Sequence, residues 1–455
     1  MLDAPGLRDN FYCSVLAYSC TSHTLAVGLG ELLYGWSESE GVRLLMAGHV
    51  NSHFNSISFS STDGGKSILA AGRNDGTLSL LSLNDDIPYS GASAPLPRFE
   101  LRHSAPISCV SWRPKCTFRS SVNRINPGAL VKTEDLLIGD EAGHVSYYSV
   151  EWPDRWEVER HNWSGQMTLL ARISVHLQQV CGLSWSPNGD LFATGGNDNL
   201  CCLFETSKAV GNYGGYEGVA QEPYAHRFED YIAWLQTENS QASPRTESAA
   251  REVSLPGYKA KHLKRGDDKH HWLHGAAVKA IAFCPWQEGL VATGGGSNDK
   301  CIHFFHTTTG APLATISVSA QVTSLIWSTT KREIAATFGF ALPDHPVRIA
   351  VFSWPDCRQV ATIPWPGEHR ALYAIPYPGD PKEPSDHARH CKSPSGRTRT
   401  LNEGCIMVAS SEQSVKFHEI WPTDKKTTVG GVGMLGGSDI LESLEGIDND
   451  GDVIR

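Results

Sequence analysis

The chain has no run of 18 apolar residues among its 455, which excludes a membrane-spanning helix. Its first ten residues, MLDAPGLRDN, contain neither a basic nor an apolar stretch, so no secretory signal peptide is expected. Positive charge is not in surplus. The formal net charge is −10, which argues against nonspecific nucleic-acid binding, because that needs a basic face. Cysteine pairs at metal-binding spacing are absent too. The 12 cysteines are scattered, and Cys109, Cys181, Cys201, Cys202 and Cys301 fall inside apolar strand patterns. They read as reduced core residues of a protein of the nucleus and cytoplasm. No nucleophile elbow or comparable signature marks a Ser/His/Asp or Cys/His set, so no catalytic residues, metal or cofactor are expected.

A repeat is present instead. Residues 180–204 read VCGLSWSPNGDLFATGGNDNLCCLF, and residues 278–305 read VKAIAFCPWQEGLVATGGGSNDKCIHFF. Each is an alternating strand ending in an aromatic, a Pro-containing turn, a second strand, an Asn-Asp turn and a third strand. Three strands separated by tight turns and repeated along a chain are the pattern of a β-propeller blade. Weaker copies occupy 15–36, 57–83, 107–152, 322–354 and 371–421, and these seven predict an all-β, seven-bladed WD40 propeller over residues 1–421. Turn aspartates fall at 75, 140, 198 and 299, farther apart than the roughly 40–45 residues of a WD40 repeat. Loop insertions account for the excess. The largest, 207–271, lies between blades four and five, is polar and glycine-rich, and reads as disordered. A second, 381–402, interrupts blade seven. Residues 422–455 form a flexible tail. No Trp-Asp dipeptide occurs, but aromatics stay at the third-strand ends (Trp36, Trp152, Phe204, Phe305, Trp354), where they are expected to pack between blades.

Three features suggest chemistry and are better read otherwise. His262, His270, His271 and His274 crowd one segment, but a zinc site wants four convergent ligands; His274 is expected to be a structural histidine bonded within its blade. The glycines at 28, 30 and 294–296 precede no helix and no Lys-Ser/Thr pair, so they are strand-end residues rather than a phosphate loop. The terminal DNDGD lacks the spacing of a calcium loop.

The wording of several segments resembles the Fizzy and Fizzy-related activators of the anaphase-promoting complex. These are LDAPGLRDNFY (2–12), LAVGLG (25–30), QVCGLSWSPNGDLFATGGNDNL (179–200), AAVKAIAFCPWQEGLVATGGGSNDKCI (276–302) and a terminal Ile454-Arg455. RIAVFSWPDC (348–357), RALYAIPYP (370–378) and SVKFHEIW (414–421) look most like the fungal meiosis-specific members. The resemblance implies a monomeric, non-catalytic adaptor in meiotic or mitotic control. It would recruit cyclins and similar regulators through short degradation motifs to a ubiquitin ligase. It implies a destruction-box site between blades one and seven. There Asp3 would take the motif's Arg in a two-point contact, Pro5 and Tyr34 would line its Leu pocket, and Glu412 and Gln413 would stand at a second contact that is acidic in relatives. It implies a KEN-box site on the upper face at Asn10, Asn197, Asn199, Ser297, Gln321 and Arg370, with Arg370 facing the motif's Glu and Asn10 replacing an aspartate. Without the resemblance, Asn197 and Asn199 read as turn residues. Ile454 and Arg455 would dock on helical-repeat subunits of the ligase.

Family members carry a basic C-box arm upstream of LDAPGL, and the same arm supplies an outer strand to blade seven. This chain begins at Met1 and carries neither, so that strand is expected to be a stub with a poorly covered edge. Either the reading frame starts farther upstream, or the protein binds substrates without fully activating the ligase. A generic propeller scaffold is the remaining alternative.

Overall fold

The computed structural model describes residues 1–85, 95–126, 128–210, 260–341, 344–377 and 404–421. Seven antiparallel sheets follow one another along the chain. Blade one comprises Leu16–Ser19, Thr24–Leu29, Leu32–Ser37 and Gly41–Ala47, and blade two Phe54–Phe59, Ile68–Arg73, Thr77–Ser82 and Phe99–Arg102. Blade three comprises Ile107–Trp112, Leu130–Asp140, Val145–Glu151 and Gln166–Ser174. Blade four runs Val180–Trp185, Leu191–Gly196, Leu200–Glu205 and His270–Leu273, and blade five Val278–Phe283, Leu290–Gly295, Cys301–His306 and Pro312–Ser317. Blade six holds Ala320–Trp327, Glu333–Ala341, Val347–Ser353 and Gln359–Pro364. Blade seven holds Ala371–Tyr377, Gly404–Ser410 and Ser414–Trp421. Its fourth strand, Leu2–Asp3, comes from the other end of the chain and pairs with Val415 and Ser414. The first strands of successive blades touch in a closed circle, which completes the propeller.

The same bulge recurs near the start of the first strand in blades two to seven, for example between Val180 and Gly182 and between Val278 and Ala280. A bulge increases local twist, as a strand standing along a narrow channel requires. The turn aspartates do the work expected of them. Asp75 accepts from the Thr77 N–H at 2.9 Å, Asp140 from His144 at 2.8 Å, Asp198 from Leu177 at 2.9 Å and Asp299 from Gly275 at 2.8 Å.

No blade keeps a core to itself. The seven apolar clusters lie one at each junction, from that of blades one and two (Ala26, Leu33, Phe54, Leu69) round to that of blades seven and one (Val15, Leu25, Met407, Val415). Third-strand aromatics serve these junctions: Trp152 packs on Phe99, Phe305 on Trp272 at 4.4 Å, Trp354 on Phe304 and Trp36 on Phe417. A second staple joins first strands. The indole N–H of Trp112 donates to Ser58 O at 3.1 Å, that of Trp185 to Ser111 O at 3.3 Å and that of Trp327 to Ala282 O at 3.0 Å.

Both ends of the expected 207–271 loop are ordered, which corrects the sequence reading. Thr206–Val210 is a short helix whose Ala209 and Val210 are buried. Lys261–Lys264 returns to blade three and pairs in parallel with its Gln166–Ser174 strand, with Leu263 buried beside Ile173. His270–Leu273 is the outer strand of blade four. Single apolar side chains and backbone pairing hold these pieces, and such signals are weak in a polar sequence. The remaining 211–259, all of 381–402 and the tail 422–455 lie outside the described residues.

The four crowded histidines part company. His262 meets Ser174, His270 the Thr308 carbonyl and His271 Asp268, while His274 is buried within its blade against Thr293 Oγ1 at 2.7 Å.

Two predictions follow from the packing. Phe304→Ala empties a fully buried position at the junction of blades five and six and should cost about 3–5 kcal/mol. Phe340→Ala, at a ring that is 57% exposed, should stay within about 0.5 kcal/mol; urea unfolding of the two variants measures both. His418, on the third strand of blade seven, is stacked on Trp365. Burial first, and then the Lys416 ammonium, push its pKa from 6.5 down to about 4. A histidine held neutral in the fold binds its proton more readily once unfolded, so stability should fall as pH drops from 6.5 toward 4. The urea midpoint should track that fall, and His418→Phe, which keeps the stacking, should lessen it, leaving the share due to His274, whose pKa burial also lowers to about 4.

Candidate functional site

The segment 4–13 crosses from blade seven to the channel mouth, and most candidate residues lie on it or beneath it. At its start the Ala4 N–H donates to Gln413 O at 2.8 Å and the Gly6 N–H to Gln413 Oε1 at 3.3 Å. Gln413 is left-handed at φ 61° in the turn before Ser414–Trp421. Asp3, Pro5, Glu412 and Gln413 are therefore brought together where blades seven and one meet. Asp3 and Pro5 are exposed, and Tyr34 sits half-buried on the third strand of blade one. Glu412 is already engaged. Lys416 Nζ lies 2.7 Å from it, Ser414 Oγ donates to it at 2.9 Å and His369 stands at 3.5 Å. The Lys416 contact chiefly holds its carboxyl below the usual range.

The second group surrounds a cavity of about 310 Å³ on the upper face. Phe11 and Tyr12 wall one side, Asn197 and Asn199 come from the turn of blade four, and Ser297 and Asn298 come from that of blade five. Gln321 comes from blade six, and the small residues Gly275, Ala276, Ala277 and Gly296 complete the lining. Asn199 takes φ 66°, so its hairpin-turn role holds whatever else it does. Four of the six residues expected at this site thus share one cavity: Asn197, Asn199, Ser297 and Gln321. Asn10 and Arg370 do not line it. Asn10 Oδ1 accepts from the Tyr12 N–H at 3.0 Å, shaping the bend that leads into the cavity. Arg370 is ion-paired to Asp9 and stacks over Phe340 at 5.6 Å.

Sequence reasoning passed over Asp9, Phe11, Tyr12 and Lys279. The first three directly flank Asn10 in the RDNFY stretch, and two adjacent aromatics in a polar, proline-containing segment were the available signal. Tyr12 donates through its hydroxyl to Asn197 Oδ1 at 2.8 Å, and Asn197 Nδ2 donates to Gln178 Oε1 at 2.7 Å. Burial raises the Tyr12 phenol, so it stays a neutral donor. Lys279 is buried on the first strand of blade five. Its ammonium donates to the carbonyls of Phe11, of Cys13 at 2.9 Å and of Leu372 at 3.4 Å, between the rings of Phe11 and Tyr373. Among the residues lining the cavity, Tyr12 alone is ionisable. The rest of the lining is amide, hydroxyl, backbone and aromatic ring. Ile454 and Arg455 lie outside the described residues.

The family description "WD domain, G-beta repeat" matches residues 167–205. The chain is 30% identical to Meiosis-specific APC/C activator protein AMA1 of Saccharomyces cerevisiae over 98% of its own length and 62% of that protein's. It is likewise 30% identical to Meiotic fizzy-related protein 2 of Schizosaccharomyces pombe, over 98% of its length and 68% of the relative's. It thus spans about two thirds of the length of these curated relatives. Among solved structures, a chain in the crystal structure of the Mitotic Checkpoint Complex superposes with a TM-score of 0.58 at 24% identity, covering 92% of this chain and 94% of that one, which supports the propeller fold. With the full-length likeness to a fizzy-related protein added to the seven blades, this chain belongs to the Fizzy and Fizzy-related family.

Proposed function

We propose that this chain is a substrate-recruiting activator of the anaphase-promoting complex, a non-catalytic co-receptor for destruction-box and KEN-box motifs. The observation that carries the reading is the upper-face cavity, where amides from three successive blades and the Phe11–Tyr12 wall converge on a volume suited to a few side chains. The names of the relatives supply the ligase: besides the yeast activator, Anaphase-promoting complex subunit cdh1 of Dictyostelium discoideum is 26% identical over 94% of the chain. A KEN-like motif would present its Asn to Asn197, Asn199 and Ser297, and its Glu to Arg370. A guanidinium has five N–H donors, and Asp9 engages Arg370 through Nη2, which leaves donors for an incoming carboxylate. Asp9, next to Asn10 and paired with Arg370, rather than Asn10 itself, would offer the charge for the motif's Lys. At the other site, exposed Asp3 would take the destruction-box Arg. A generic scaffold would explain the seven blades but gives no reason for two polar sites to sit on one N-terminal segment.

The experiment is a pair of peptide titrations on the whole chain. Asp3→Ala should weaken a destruction-box peptide and spare a KEN peptide; Arg370→Ala should do the reverse. Each loss removes a charge-assisted contact of about 1.5–3 kcal/mol, or roughly ten- to a hundredfold in Kd. Equal effects of each variant on both peptides, or none on either, would defeat the two-site reading.

A further inference from the structure

Blades four and five are built on the same frame, and their turns can be laid over each other residue by residue. Asp198 corresponds to Asp299, and the following residues, Asn199 and Lys300, are both left-handed, at φ 66° and 54°. In blade four the aspartate is held by its own blade: Asp198 Oδ1 lies 3.0 Å from His176 Nδ1. In blade five that bond is missing, because His274 Nδ1 turns to the Trp272 carbonyl at 3.3 Å. Asp299 instead points Oδ2 at His303 Nε2, 2.9 Å away. The next two positions on the same strand face differ in the same direction. Where blade four has Leu200 and Cys202, blade five has Cys301 and His303.

The result is an Asp-x-Cys-x-His run: Cys301 and His303 share one face of the strand Cys301–His306, and Asp299 reaches them from the turn just before it. The carboxylate, thiol and imidazole ligand atoms all lie within 4.8 Å of one another. Three atoms so spaced have a common point within about 2.8 Å of each, against zinc bond lengths of about 2.0–2.3 Å, so small side-chain rotations close the difference. The supporting layer is in place as well. Thr315, opposite His303 on the neighbouring strand, has its hydroxyl 3.2 Å from His303 Nδ1, which can hold the ring with Nε2 toward the site, as second-shell partners of metal-bound histidines do. Asp299 Oδ1 is fixed by the Gly275 N–H. The side chains are partly accessible, His303 at 21%, so an ion can enter.

We infer that Asp299, Cys301 and His303 form a zinc site on blade five. The mixture of carboxylate, thiolate and imidazole is a donor set that zinc takes. Three protein ligands leave the fourth tetrahedral position for water. Cys301 binds as the thiolate and gives its proton to solvent. Of the histidine-rich stretch 262–274, His262, His270 and His271 are dispersed over other partners, while His274 packs edge-on against the His303 ring at 4.9 Å with both its nitrogens engaged elsewhere. The ion would also brace the turn that carries Ser297 and Asn298, on the cavity's edge. This inference does not depend on what the cavity binds.

The test is cobalt titration of the untagged whole chain after chelator treatment. One equivalent should produce a thiolate-to-cobalt charge-transfer band that zinc then abolishes, and zinc should raise the thermal midpoint. Cys301→Leu installs the residue that blade four carries at this position, so folding is expected to survive; it should lose both the band and the zinc-induced shift. Thr315→Val should weaken zinc binding about 10- to 100-fold. Cys116→Ser, at a thiol bonded to Asp63 on another blade, should change nothing. The site is refuted by a wild-type chain that gives no band, by a band that survives Cys301→Leu, or by one that disappears in Cys116→Ser.

Discussion

Closure of the ring is the constraint on which everything else depends. Because each apolar cluster is shared by two blades, a blade taken alone would expose both of its faces, and stability arises only when the last junction forms. That last junction is made by the N-terminal segment. Leu2 and Asp3 add two residues of ladder to blade seven, and Ala4 and Leu7 are buried with Val15, Leu25, Met407 and Val415. The chain then runs straight on to Phe11 and Tyr12 at the cavity. The piece that seals the fold is thus the piece that carries the candidate site, and the geometry of one is inherited from the other.

Lys279 makes the coupling tighter. A fully desolvated ammonium is costly, and burial drives the Lys279 pKa from 10.5 down to about 8, against the opposing pull of Cys13, Cys181 and Cys109. What offsets the cost is three carbonyls from two distant segments: Phe11 and Cys13 from the N-terminal segment, and Leu372 from blade seven. Hydrogen bonds to a charged donor contribute about 1.5–3 kcal/mol each when well made. A leucine of similar volume would leave those carbonyls unpaired under a layer of aromatic rings. The lysine therefore fixes where the segment crosses the channel, and with it the position of the Phe11–Tyr12 wall.

The fold was legible because its signals are local and repeated. Alternating apolar strands recur in all seven copies, and turn aspartates at 75, 140, 198 and 299 and strand-end aromatics such as Trp152 and Phe305 mark several of them. The outermost strands were less so. Leu2–Asp3 and Lys261–Lys264 pair with partners hundreds of residues away or in parallel with a neighbouring blade, and nothing in their own sequence announces the partner. Asn197, Asn199 and Ser297 were singled out only through the family resemblance, since their own sequence announces no more than turns, and the structure puts them on one cavity. It was not legible at Tyr12 or Lys279, whose roles exist only once blades one, four, five and seven are side by side. The Asp299–Cys301–His303 grouping was hidden for another reason: strand alternation pairs only Cys301 with His303, and Asp299 joins them from the turn before the strand, while the denser histidines lie just upstream.

The hydrogen bonds already made around the cavity limit what it can read. Asn197 has one end of its amide taken by the Tyr12 hydroxyl and the other by Gln178, so one N–H and one lone pair remain for a ligand. Gln321 Oε1 accepts from the Phe340 N–H at 3.3 Å, which turns its NH₂ group into the free end. Those commitments orient the amides before any ligand arrives, so little ordering is left to oppose binding. They also make the site selective by mismatch. A ligand amide can satisfy a donor and an acceptor at once, whereas a carboxylate in the same place has no N–H to give and leaves a desolvated acceptor unpaired, at about 1–3 kcal/mol. On the proposed reading, discrimination of Asn from Asp in a peptide would follow from the internal bonds of Asn197 and Gln321 and would need no charged group in the cavity.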